Sequence, residues 1–508
     1  MTRGLPPHRY AALAVVGVIL WVGGCGANID PPPGEPADEQ SDVSVSATST
    51  TDATTPSASA APDIDTDDVP DESTRGEDEG PDPLLTPDPA VLNQTRPGTL
   101  LILDPADQLE PLALVSPSGE RLAALPVARS ASVWAPSWSP DGTAVLWAES
   151  ADDRSWELAL ARLTFTGNIV DTATSRVALP GRPDHVTFGA GPAEILVLTP
   201  GPNGFGLWHV DLDDDEPAAR QLESGAPLFT DMGPDGRLVA HIGNETRVLA
   251  LTRADDGLPT TASQLIDRSG APYQTPSWHP DGGSIFYART GVRDDDGPTY
   301  EVLRHHLADD DVEVLFTYRT FAMFAVDPTG RRMAVSVFDD RSNQEAPAPS
   351  VPGQEVAFSP RQGSVLPVQD ASSRAGVWLV ELEDASAERL GTTPLTSPTW
   401  DPGGRWILGR DRLTGQGSWR AISIDDPSAT IESPEHFLAP GSLAGYYMQF
   451  WDQFARTQTV WAPDSSGFVF PAIIGGRSVM WLQDLDGGTP GRLGQGGVAF
   501  WGPEPADP

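Results

Sequence analysis

Pro136-Ser-Trp138-Ser-Pro140-Asp-Gly142, running on into Ala144-Val-Leu-Trp147, returns as Pro276-Ser-Trp278-His-Pro280-Asp-Gly282 before Ile285-Phe-Tyr287. It returns again as Pro398-Thr-Trp400-Asp-Pro402-Gly-Gly404 before Trp406-Ile-Leu408. Weaker copies centre on Pro234-Asp-Gly236, Pro328-Thr-Gly330 and Pro463-Asp464, and a degenerate one lies near Gly191-Pro192. Each copy reads as a hairpin. Proline, with its fixed φ, suits the second position of a type I turn, and the Asp and Gly after it close the turn. Short β-rich runs flank the turn.

A third strand follows each hairpin, such as Trp156 to Leu163, Gly206 to Leu212, Thr246 to Thr252, Tyr300 to Leu307, Val377 to Leu382 and Met480 to Leu485. A shorter fourth, such as Val312 to Thr317, completes the unit. Four antiparallel strands repeating every roughly 40 to 50 residues make a propeller blade rather than a layered domain. The fold class expected is therefore all-β. Trp-Ser-Pro-Asp-Gly followed by a β-branched and aromatic strand resembles the PD40 (WD40-like) repeat of TolB-like β-propellers, over residues 98–508. The resemblance implies the fold, and protein partners by analogy with TolB; it carries no catalytic residues.

The chain closes on Val498-Ala-Phe-Trp501, which matches only the first strand of a repeat. Thr99 to Leu103, Pro111 to Val115 and Arg121 to Leu125 look like the other three. Joined, they make one closing blade and leave no open edge in the ring. Seven internal repeats plus this blade give eight, while two irregular spacings leave six or seven open. One irregular stretch, Asp339 to Ala375, reads as a loop insertion in which Phe358-Ser-Pro360 imitates a repeat start.

The other lies between Leu438 and Val460 and holds Tyr446, Tyr447, Phe450, Trp451, Asp452 and Arg456. Aromatics beside a carboxylate and a guanidinium have the composition of an interface anchor, so these six are the candidate binding residues. The competing reading is a long strand whose aromatics fill the gaps between blades.

Ahead of the repeats, residues 1–24 read as a lipoprotein signal peptide. Arg3 and Arg9 precede the apolar run Ala11 to Val22, which is too short to span a bilayer. Val22-Gly23-Gly24-Cys25 resembles the bacterial lipobox, and Cys25 is the single cysteine of the chain. Cys25 is thus the expected lipidation site, and the expected localisation is extracytoplasmic, anchored to the cell membrane. Residues 25–97 are rich in Pro, Ser, Thr and Ala, with 17 acidic and 2 basic residues from Gly26 to Pro97. Such a segment buries too little apolar area to offset its chain entropy and is expected to be a disordered tether. As a flexible coil it would span about 45 Å.

Formal net charge is −40 over 508 residues, and all 32 basic residues are Arg. An acidity of this size excludes nucleic-acid binding through phosphates. It is compatible with a halophilic source. No Gly-x-Ser-x-Gly elbow is present. His305-His306 with Asp309-Asp310-Asp311 is the densest cluster of ligand-type residues, but neighbouring residues on a strand face opposite ways, so no metal is assigned. Asp211-Leu-Asp213-Asp-Asp215 begins like a calcium loop and then has Glu216 where the sharp turn needs Gly.

No catalytic residue and no cofactor are assigned. The functional expectation is a monomeric, membrane-anchored binding module for an envelope protein, peptide or glycan. The alternative is a lyase, lactonase or glycosidase with an active site lining the channel.

Overall fold

The computed structural model describes residues 98–128, 131–166, 169–189, 193–201, 204–213, 217–253, 259–271, 275–294, 297–318, 321–338, 359–360, 375–412, 415–438, 443–444, 447 and 458–503. Within them the chain forms eight antiparallel sheets arranged as an eight-bladed propeller.

The second blade shows the pattern. Its strands, Ser132–Trp138, Ala144–Ser150, Trp156–Thr166 and Ile169–Leu179, pair in chain order from the innermost outward. Ala144–Ser150 is buried at every position because a blade has a neighbour on each side. Val145 and Trp147 pack towards the first blade, whereas Ala144, Leu146 and Ala148 pack towards the third. A strand covered on both faces reads as a continuous apolar run, which is why these segments do not alternate. Apolar clusters accordingly lie between blades. The largest runs without a break from the seventh blade through the eighth and first to the second, across the point where the ring closes.

That closure is the one expected. Val498–Trp501 is the inner strand of the first blade and pairs in antiparallel register with Leu100–Leu103, Trp501 opposite Leu100. Leu112–Val115 and Arg121–Ala124 complete the sheet.

The hairpin turns are type I-like with a left-handed fourth residue. In the second blade Gly142 N–H donates to the Ser139 carbonyl at 3.0 Å, and Gly142 has φ 70°. The same bond joins Gly282 to His279 at 2.9 Å and Gly404 to Asp401 at 3.0 Å. A side chain disfavours this backbone region, so glycine recurs there. In the eighth blade Ser465 adopts it instead, with φ 59°, and its Oγ accepts from Gly403 N–H of the seventh blade at 3.0 Å.

In four blades the motif tryptophan joins its blade to the one before it. Trp138 Nε1 donates to the Phe500 carbonyl at 3.3 Å, Trp278 Nε1 to the Asp231 carbonyl at 3.1 Å and Trp400 Nε1 to the Ala325 carbonyl at 2.8 Å. In the eighth blade Trp461 Nε1 reaches Thr399 Oγ1 at 3.2 Å. The acceptor residue is always the one before the equivalent position of the preceding blade. The motif therefore builds two things at once, a hairpin and an inter-blade bond.

Both irregular spacings have a structural account. Arg332–Val337 pairs directly with Gly376–Glu381, so the 339–375 insertion joins the second and third strands of the sixth blade. Ser359–Pro360 adds a two-residue strand to the outer edge of the fifth blade. In the eighth blade the inner strand is split. His436–Leu438 pairs with the far end of Gly467–Ile474, Phe437 opposite Ile473, while Trp461 bridges Phe468 at the near end. The aromatic stretch lies in the excursion between the two halves. Its described residues Leu443, Ala444 and Tyr447 are helical rather than part of a long strand.

The ring's two ends meet on the face that carries the Pro-Asp-Gly turns. A Cβ placed on Gly98 would stand 3.2 Å from Pro463, and one on Gly142 would stand 3.3 Å from Pro503. The connections between blades, and the strand ends at Val337 and Gly376, lie on the opposite face because each strand reverses direction.

Candidate functional site

The expected binding residues are divided by the structure. Tyr446, Phe450, Trp451, Asp452 and Arg456, like Cys25, lie outside the described residues. Tyr447 is 1% exposed and packs between blades, its ring 6.0 Å from Trp134 and 5.6 Å from Phe500. Burial pushes its phenol up, and hydrogen bonds to the Ala135 backbone and the Gln458 side chain pull the other way. Arg182 holds its guanidinium 4.2 Å from the other partner of this stack, the Trp134 ring. Gln458 Nε2 also donates to the Pro136 carbonyl at 2.8 Å, tying the eighth blade to the second.

Among the described residues no group of three or more His, Cys, Asp or Glu is placed to hold a metal ion. His305 is buried and His306 half-buried, on opposite faces of one strand, and His305 Nε2 stands 3.0 Å from the Asp310 carboxylate. Asp211 Oδ1 accepts from the Asp213 N–H at 3.0 Å, which makes that acidic run a turn.

The buried carboxylates of the inner half of the ring hold backbone. Asp231 accepts from the Trp278 N–H at 2.8 Å. Asp401 accepts from the Arg405 and Trp406 N–H groups at 2.7 and 2.6 Å, and Asp327 from those of Arg331 and Arg332 at 2.8 and 3.1 Å. Glu149 accepts from the Ala128 N–H, the Trp147 indole and Arg176 at 2.9, 3.0 and 2.7 Å.

The split strand of the eighth blade creates a different site. Between His436–Leu438 and the hairpin of Gly467–Ile474 and Arg477–Asp484 lies a cavity of about 260 Å³. Phe470 and Trp481, cross-strand partners, are among its lining residues but almost wholly buried, and Phe437, 47% exposed, lines it from the other strand. His436 lies 5.2 Å from the Phe470 ring, with Nδ1 3.1 Å from the Pro434 carbonyl. A carbonyl can only accept, so the proton sits on Nδ1 and Nε2 is left as an acceptor. Burial lowers the His436 pKa to about 4, with the nearby Arg410 charge acting in the same direction, so the ring is neutral at pH 7.

Arg410 fixes the position of this strand. The residue is fully buried, and its guanidinium donates to the carbonyls of Gly415 at 2.8 Å, His436 at 3.1 Å and Arg412 at 2.5 Å. Among the described residues no carboxylate pairs with it, and burial lowers its pKa to about 10. The sequence carried no signal for His436, Trp481 or Arg410. They stand in ordinary strand segments, and only the split of the inner strand brings them together.

No family model matches the chain, and no curated protein matches it. Solved structures similar to it include a putative 6-phosphogluconolactonase from Bacteroides uniformis, 12% identical, covering 68% of this chain and 97% of its own, TM-score 0.41. A eukaryotic initiation factor is 13% identical, covering 81% and 100%, TM-score 0.46. TolB from Acinetobacter baumannii is 13% identical, covering 66% and 63%, TM-score 0.30.

Proposed function

We propose that the chain is a lipid-anchored, extracytoplasmic propeller that works as a non-enzymatic binding module for a protein, peptide or glycan of the cell envelope. The observation that carries this reading is the meeting of the ring's two ends on the turn face, at Gly98 beside Pro463. A tether entering there leaves the opposite face, with the inter-blade connections, turned towards the surroundings. The acidic composition of residues 26–97 supports a spacer repelled by an anionic membrane surface. The use of Glu149, Asp231, Asp327 and Asp401 to hold backbone supports binding over catalysis.

The test is made in intact cells. Wild-type protein is expected in the membrane fraction with lipid label, and Cys25→Ala in the soluble fraction without it. Chemical crosslinking should capture a partner through the face opposite the turns. A Cys25→Ala protein that stays membrane-bound with unchanged lipid labelling overturns the anchor. Robust turnover of a lactone, glycan or glycoside by the purified protein overturns the binding reading.

A further inference from the structure

We infer that Arg182 is an anchor of the partner-binding surface, taking an Asp or Glu carboxylate of a protein partner on the face opposite the turns. The inference rests on the binding reading and names the group recognised. Arg182 lies in the connection between Ile169–Leu179, the outer strand of the second blade, and His185–Phe188, the inner strand of the third. Such connections lie on the face opposite the turns, and contact with Trp134, near the start of the inner strand Ser132–Trp138, brings the side chain to the rim of the channel.

Its guanidinium is open. Arg182 is half-buried, with Nε buried and unbonded, while its two terminal nitrogens keep accessible surface and make no hydrogen bond or ion pair among the described residues. Arg176, Arg247, Arg268 and Arg289, at the same end of their blades, each pair with a carboxylate. The chain carries 72 acidic residues against 32 basic ones, yet among the described residues none is paired with Arg182.

It is also held in place. The Arg182 Cζ stands 4.2 Å from the centroid of the Trp134 ring, and the buried Tyr447 stacks on the same indole at 6.0 Å. A guanidinium resting on an indole keeps its in-plane N–H fork free for a carboxylate, and less side-chain freedom is left to lose on binding. Arg and Trp are the residue types enriched among interface anchors.

The surroundings select the ligand. Trp134 Nε1 and the Tyr447 hydroxyl are buried, so within this stack only the guanidinium offers a polar group to a ligand. One fork matches one planar carboxylate, whereas a sugar ring needs several hydrogen bonds. Acidic turns such as Asp309-Asp310, between the third and fourth strands of the fifth blade, lie on the other face. That face is about 20 Å away, the length of a seven-residue strand such as Ala144–Ser150, and salt at about 0.15 M screens exposed charges beyond about 8 Å.

The test is arginine footprinting of the full chain with phenylglyoxal, the modified positions being located by mass spectrometry. Arg182 is expected to react, as are the exposed Arg477 and Arg492. Acetyl-Ala-Glu-Ala-amide in the millimolar range should slow the reaction of Arg182 saturably, by at least about threefold, and leave Arg477 and Arg492 unchanged. Acetyl-Ala-Gln-Ala-amide, and sodium chloride at matched ionic strength, should protect none of the three. An unreactive Arg182, equal protection by the glutamine peptide, or equal slowing at Arg477 and Arg492 overturns the assignment. Stronger protection by glucuronate than by the glutamate peptide overturns the protein partner in favour of an acidic glycan. Because the footprint needs no partner, its failure is separable from a failure of the crosslinking experiment.

Discussion

The Trp138 indole donates to the backbone carbonyl of Phe500, 362 positions away in the chain, at 3.3 Å. This bond couples the second blade to the strand that closes the first, so the C-terminal residues Val498–Trp501 belong to the start of the ring. Trp138→Phe keeps most of the buried ring and loses the bond; it is expected to cost about 1 kcal/mol. Deleting Val498–Trp501 removes four buried side chains along with the acceptor, and should abolish cooperative unfolding in a thermal melt.

The Trp278 bond requires a small residue beneath the ring. A Cβ on Gly233 would lie 2.8 Å from the Trp278 ring, which Trp278 Nε1 already anchors to Asp231. Gly233→Ala is therefore expected to lower stability by about 1–3 kcal/mol, read from the denaturant midpoint.

Arg410 holds three carbonyls, and among the described residues no carboxylate forms an ion pair with it. Arg410→Met should cost about 2 kcal/mol, because the carbonyls of Gly415 and His436 lose their donor inside the protein. Amide hydrogen exchange at His436–Leu438 should accelerate more than that of the other blades.

Burial lowers the pKa of His185 to about 3 and that of His241 to about 4, alongside His436. Each folded-state value lies below the unfolded value of about 6.5, so between the two the unfolded chain binds more protons. Stability should thus fall as pH drops from about 6.5 to about 4, by up to about 3 kcal/mol per histidine. Thermal melts across this range should show a shallower slope for His241→Asn. A parallel slope would mean that His241 takes up its proton without unfolding.

Much of the ring was legible in the chain because its repeat is local. Pro140-Asp-Gly142 and its copies carry their own turn chemistry, and the runs flanking them carry strand propensity over the same few residues. The closing blade was legible because one unmatched strand at the end and three at the start add up to one unit. The split inner strand of the eighth blade was not, since nothing in His436-Phe437-Leu438 distinguishes a strand that pairs with Ile473 from a connecting loop.

By itself, the sequence determined the all-β repeat and the turn positions, which depend on residues adjacent along the chain, while the structure decided that the blades number eight and not six or seven. Only the tertiary structure decided which group of the preceding blade each motif tryptophan meets, that Tyr447 is packed between Trp134 and Phe500, and that His436 and Trp481 share a cavity. Those relationships join residues far apart in the chain. They are set by how one blade face lies against the next, and local propensity carries no information about that contact.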